Sequence, residues 1–213
     1  MDAPGTLGRK LPMKTVFSAG GEPLSTTPIQ LMSGTVVQLK SPEKDRYAAV
    51  KVGYEAVPLD RLNKPDRGQF LRLKLSEGYR RLTEFRVAST EPYKEGEPFP
   101  VEIKEGEIVD VSGLAKGRGF QGVVKRYRFH GQKDSHGTSV THRRPQSIGC
   151  RWPQRVIPGK RMAGHMGNNR ITMKNLNVVK VAGNIVYVEG CVPGPAGGVV
   201  EVRPARGKGN GEK

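Results

Sequence analysis

Cysteine is almost missing from this chain. Cys150 and Cys191 are the only two in 213 residues and stand 41 positions apart, so no disulfide framework and no CxxC metal knuckle can be assembled. Long apolar runs are missing as well, which argues against a secretory leader or a membrane-spanning helix and makes a reducing, cytoplasmic setting the expectation. Hydrophobic residues make up only 35% of the chain and aromatics 6%, with one tryptophan. Such a composition predicts a modest core.

The most informative scarcity is of acid. Between residues 114 and 174 there are fourteen Lys or Arg and a single acid, Asp134, so thirteen of the sixteen net positive charges lie in this stretch. Residues 1–113 hold 17 bases against 16 acids, and residues 175–213 hold 5 against 3. A like-charged block repels itself in a compact state, and the natural neutraliser is a polyanion. The stretch also carries nine glycines between Gly117 and Gly167, with prolines at 145, 153 and 158, which opposes a basic amphipathic helix lying on a membrane. Few apolar side chains recur there, so it cannot offset the entropy of ordering by itself. Ordering on RNA uses its charge. The remaining 152 residues suffice for a conventional core.

Outside the basic stretch the pattern is of short β runs between turn residues. Thr35–Lys40 and Tyr47–Gly53 flank the polar turn SPEKDR, and Arg81–Ala88, Glu107–Gly113, Asn177–Val192 and Val199–Arg203 continue the theme. Alternating Val, Ile and Tyr broken every eight to twelve residues predicts an antiparallel sheet or barrel. Val178–Val181 and Ile185–Val188 around Gly183-Asn184 predict a tight hairpin. One short helix is expected near Pro65–Leu75, with Pro65 at its start and Gly68 weakening it.

Several motifs in the basic stretch invite sharper readings. Gly117, Gly119 and Gly122 have GxGxxG spacing, but a dinucleotide turn needs a strand before, a helix after and an acid about twenty residues on. Here VVKRYRF follows, alternating like a strand, with Arg126 and Arg128 expected on one face and Lys125, Tyr127 and Phe129 on the other. The glycines are better read as letting a basic backbone approach phosphates. His130, His136 and His142 are six apart and lack the compact spacing of a zinc site. Ser135, Ser139 and Cys150 have no supporting carboxylate except Asp134 and no recognised nucleophile motif around them. Gly159–Gly167 resembles a phosphate loop only superficially, with Gln154 at the first glycine position and Arg161 in place of Ser or Thr. Trp152, between Arg151 and Pro153, is expected at a loop tip as a stacking surface.

Taken together, KGRGFQGVVKRYRF, SHGTSVTHRRPQSIG and PGKRMAGHMGNNRIT closely resemble the signature region of the bacterial large-subunit ribosomal protein L-three family. LGRKLPMKTVF looks like that family's opening strand, NKPDRGQF like its short helix, and LNVVKVAGNIVYVEGCVPGPAGG like its closing hairpin and loop. The resemblance implies a mainly β fold, a six-stranded translation-protein-type barrel with a long irregular basic extension and little helix. It divides the chain into a barrel domain of 1–114 and 170–206, an rRNA-penetrating extension of 115–169 and a flexible tail of 207–213. It further implies a non-enzymatic constituent of the large subunit that binds near the 3′ end of the large-subunit rRNA, nucleates assembly and reaches toward the peptidyl-transferase centre. Its neighbours would be the large-subunit proteins L-fourteen and L-nineteen, with no cofactor, membrane or small-molecule substrate. Where many members carry a glutamine that is methylated in some species, this chain has Cys150, so that modification is not expected. Gln154 replaces a glycine in a tip one residue shorter than usual, and Pro12 and Lys14 replace Gly and Thr.

The residues expected at phosphates are Lys116, Arg118, Lys125, Arg126, Arg128, Arg143, Arg144, Arg151, Arg155, Lys160, Arg161 and Arg170. Trp152 and the histidines His130, His136, His142 and His165 are expected at bases, sugars or packing contacts. Two rivals from other classes stay open on the residues alone: an enzyme using the GxGxxG turn or the His and Cys set, and a nucleic-acid chaperone with no fixed site.

Overall fold

The computed structural model describes residues 4–205 except 19, 74 and 76; the tail expected at 207–213 lies outside the described residues. The chain divides into two compact units, one running to Leu114 and resuming at Arg170, the other Ala115–Asn169.

The first unit is built from strands β1 (Thr6–Lys10), β2 (Lys14–Phe17), β3 (Pro23–Leu31), β4 (Thr35–Lys40), β5 (Ala49–Val57), β6 (Gly78–Arg86) and β7 (Ile108–Leu114). After the second unit's β8 (Gly119–Gln121) and β9 (Gly164–Met166) come β10 (Arg170–Ala182), β11 (Ile185–Glu189) and β12 (Val199–Pro204). The order β1-β12-β7-β10-β11-β3, closed by β1 against β3, makes a six-stranded antiparallel barrel, with β2 attached outside the ring on β3. Closure removes exposed strand edges.

Alternation explains the barrel interior. Ile29, Val109, Val111, Val178, Val186, Val188, Val200 and Val202 form a buried cluster, and on β7 and β11 every second residue points inward. The three-stranded sheet β4-β5-β6 carries a second cluster of Val36, Val50, Val52, Tyr54, Phe85 and Phe99 with Leu7 of β1. Phe99 stacks on Phe85 at 5.8 Å between centroids.

The hairpin forms at the expected place: Ala182 pairs with Ile185, and Gly183 takes φ +57. The helix α2 runs Lys64–Arg72, three residues short of Leu75, with Pro65 in its first turn and Phe70 fully buried against Tyr79. SPEKDR contains a single helical turn, α1 (Pro42–Asp45), ended by Arg46 at φ +67.

Two points differ from what the sequence alone implies. β3 carried no strand signal, because PLSTTPIQL contains two prolines and little alternation, yet it pairs with β1, β2 and β11. Its prolines are tolerated since a strand needs only their carbonyls: Pro28 accepts from the Leu11 N–H at 2.9 Å. Thr26 and Thr27 are fully buried because their hydroxyls donate to Lys14 O at 2.9 Å and Gly190 O at 2.6 Å. The second correction concerns VVKRYRF, which is not a strand but the helix α3 (Val123–Tyr127). Amides of Arg126 and Arg128 bond back to Gly122 and Val124, and Arg128 at φ +60 ends the turn. Five residues of charge alternation do not fix a period, and the one buried anchor, Val123, is met as well by a helical turn.

Candidate nucleic-acid interface

The second unit is rooted where its two ends meet. Ala115 N donates to Asn169 O at 2.9 Å, Asn168 N to Ala115 O at 3.2 Å and Arg118 N to Met166 O at 2.9 Å, continuing into the β8–β9 ladder of Gly119–Gln121 with Gly164–Met166. Gly167 makes this root possible. At φ +77 its missing Cβ would lie 2.2 Å from Lys116 O, so no other residue fits without moving the backbone.

Beyond the root the unit has almost no interior. Among its described residues Val123 is the one buried side chain, while Phe120, Val140, Ile148, Trp152, Val156 and Ile157 are exposed, Trp152 at 73%. Its charge is equally unsatisfied: twelve Lys or Arg against Asp134. No residue of 115–169 takes part in any ion pair found among the described residues. A surface lacking both core and counter-charge is complementary to a polyanion with planar bases.

Of the residues singled out from sequence, Lys116, Arg118, Lys125, Arg128, Arg143, Arg144, Arg151, Arg155, Lys160 and Arg161 are all exposed on this unit. Arg126 differs. It is half-buried, its Nη1 donates to Met162 O at 2.7 Å, and its guanidinium lies 5.0 Å from the Tyr127 ring centroid. Helical geometry turns it inward, where it ties α3 to the loop leading into β9. Arg170 stands in the barrel unit, paired with the buried carboxylate of Glu201, which Arg203 also holds. Removing either arginine would leave a buried charge underpaired.

The histidines do not converge on a metal centre; among the described residues no group of three or more His, Cys, Asp or Glu is placed to hold a metal ion. His130, His136 and His165 are exposed, while His142 is half-buried, its carbonyl accepting from Gln132 N at 2.9 Å. Cys150 is exposed, as is Trp152 two residues on. The GxGxxG glycines span β8 and open α3, with a positive φ only at Gly119. β8 lies inside the motif and pairs antiparallel with β9, unlike the parallel strand–turn–helix of a dinucleotide site. No helix follows the Gly159–Gly167 segment, which contains β9 and continues into β10.

The Ribosomal protein L3 family matches residues 83–183. Large ribosomal subunit protein uL3 of Acidothermus cellulolyticus is 44% identical over 211 residues, 97% of this chain and 95% of the relative. The uL3 proteins of Buchnera aphidicola subsp. Schizaphis graminum and of Vibrio cholerae serotype O1 are each 42% identical over 205 residues, 94% of this chain and 98% of theirs. The chain belongs to the ribosomal protein L3 family. The matched segment contains the whole second unit of this family member together with all of β7 and β10, the strands from which it departs and to which it returns.

Sequence reasoning missed one feature of the L3-family chain. Tyr127, Arg128 and Phe129 come together with Arg144, Pro145, Gln146 and Arg161 around an open cleft of about 440 Å³. Nothing in the spacing of three separate segments announces it, because the left-handed backbone at Arg128 and Gln146 (φ +60 and +62) is carried by residues that usually avoid it.

Proposed function

We propose that this chain is a structural, non-catalytic constituent of the bacterial large ribosomal subunit, with the 115–169 unit serving as a basic extension that enters large-subunit rRNA. The observation that carries this is the combination in one unit of twelve bases, one acid, one buried side chain and six exposed large apolar ones. Such a segment gains from phosphates what it lacks in internal pairing, and its exposed Trp152 and Phe120 offer faces on which bases stack. Lys116, Arg118, Lys125, Arg128, Arg143, Arg144, Arg151, Arg155, Lys160 and Arg161 contact phosphates. Arg126 acts through the fold of the extension as well as through charge.

Family membership supports a finer reading of this role. The protein binds early near the 3′ end of the rRNA, helps nucleate assembly, and directs the tip around Gly149–Arg155 toward the peptidyl-transferase centre. L-fourteen and L-nineteen are its protein neighbours. Peptide-bond formation is RNA chemistry that the extension buttresses.

Comparing rRNA binding by the intact chain with that of a chain lacking 116–168 tests the extension's role. With about eight phosphate contacts, log affinity of the intact chain should fall with log salt at a slope of roughly −6, at about 0.7 per contact. Equal affinity and equal slope in both chains would refute it. Retention on large subunits through a high-salt wash separates a fixed constituent from a loose chaperone, which would wash off.

A further inference from the structure

The cleft beside α3 is a built feature with no internal occupant. Two segments frame it, residues 127–131 and 142–146, stapled by Gln132 N donating to His142 O and Gln146 Nε2 donating to Gly131 O, both at 2.9 Å. The staple depends on Gly131, whose φ is +76 and whose Cβ would lie 2.4 Å from His142 O. From a third segment, the Arg161 guanidinium reaches over the Tyr127 ring at 5.7 Å. With Arg126 over the same ring at 5.0 Å, Tyr127 is occupied by cations. Phe129 is not. Its half-buried ring is tilted 41° from Tyr127 at 6.3 Å, so the two do not close on each other face to face. Arg128, Arg144 and Arg161 are exposed, with no acid paired to any of them among the described residues.

An aromatic face beside three unpaired guanidinium groups, in a space of about 440 Å³, is complementary to one nucleotide. A stacked, continuous strand would lie across the surface and need no recess. An unstacked nucleotide needs one. We propose that this cleft receives a single splayed-out nucleotide of the bound RNA, its base stacked on Phe129 and its phosphates held by Arg128, Arg144 and Arg161, with Tyr127 fixing Arg161 in place. This rests on the RNA-binding role proposed above and adds a defined subsite to it.

The test uses the full chain bound to transcribed large-subunit rRNA. Ultraviolet irradiation should attach one nucleotide to the tryptic peptide Phe129–Lys133. Phe129→Leu, which keeps apolar bulk, should abolish that adduct and weaken binding by about 5- to 100-fold without changing the salt slope, since it removes stacking and no charge. Arg144→Gln, at an exposed position, should lower the adduct yield and make the slope shallower by about 0.7. Wild-type affinity for Phe129→Leu, or adducts confined to Phe120 and Trp152, would overturn the subsite, provided that deleting 116–168 still abolishes binding. If that deletion leaves binding intact, the RNA-binding role itself fails. Photolabelling of the same peptide by millimolar uridine 5′-monophosphate without RNA would overturn the assignment to an RNA strand in favour of a free-nucleotide site.

Discussion

Replacing Arg143, Arg144, Arg151 and Arg155 together by glutamine removes four exposed cations whose side chains make no hydrogen bond or ion pair among the described residues. The fold should therefore be unaffected, surface changes of this kind costing within about 0.5 kcal/mol each. Binding should change in a way that only charge explains. At about 0.7 released counterions per contact, four lost contacts make the slope of log affinity against log salt shallower by about 3, from roughly −6 to roughly −3. Across a fourfold rise in salt the intact chain should then lose between three and four decades of affinity, and the variant about two. Filter binding to transcribed large-subunit rRNA over a salt series measures both slopes. An unchanged slope, or a loss of affinity that is the same at every salt concentration, would refute phosphate neutralisation by these residues.

Other perturbations separate the root, the core and the surface. Gly167→Ala places a methyl 2.2 Å from Lys116 O at φ +77, and should destabilise the root by more than about 1 kcal/mol; faster amide exchange at Arg118 and Asn168 is the readout, with the barrel amides unchanged. Phe85→Ala empties the centre of the second apolar cluster and should cost about 3–5 kcal/mol in thermal or denaturant unfolding. Glu84 accepts hydrogen bonds from Lys40 Nζ and the Tyr47 hydroxyl, both at 3.1 Å. Partial burial pushes its carboxyl up, but these bonds outweigh burial and hold it below the ordinary carboxylate range. Its stabilising contribution is complete above the unfolded value of about 4.3 and is lost as pH falls through the lower folded value. Glu84→Gln should therefore lose less melting temperature than the parent on going from about pH 7 to about pH 3.

The barrel was legible where burial follows a period of two. β7, β11 and β12 place Val109, Val111, Val186, Val188, Val200 and Val202 inside, and each reads as a strand from its own residues. β3 was not legible, since Thr26 and Thr27 become buried only through carbonyls supplied by Lys14 on the neighbouring strand and by Gly190, far off in sequence. β10 was legible only in its second half. Its first half, Arg170–Asn175, is wholly exposed and owes its extension to pairing with β7, with a register shift between Met173 and Leu176 where Asn175 N donates to Asp110 Oδ1 at 2.9 Å. In the basic unit, charge and composition made a polyanionic partner legible, because those properties are additive along a chain. The inward turn of Arg126 and the cleft beside Phe129 were not, because both depend on α3, whose single turn looks like a strand when written out.

The central claim, that the 115–169 unit is covered by RNA in the assembled subunit, is tested most directly by lysine acylation. Lys116, Lys125 and Lys160 are exposed on that unit, and all three should react readily in the free chain. In purified large subunits their acylation should be strongly suppressed, and should recover when the rRNA is digested with ribonuclease. Equal reactivity of the three lysines in the free chain and in intact subunits would contradict the account.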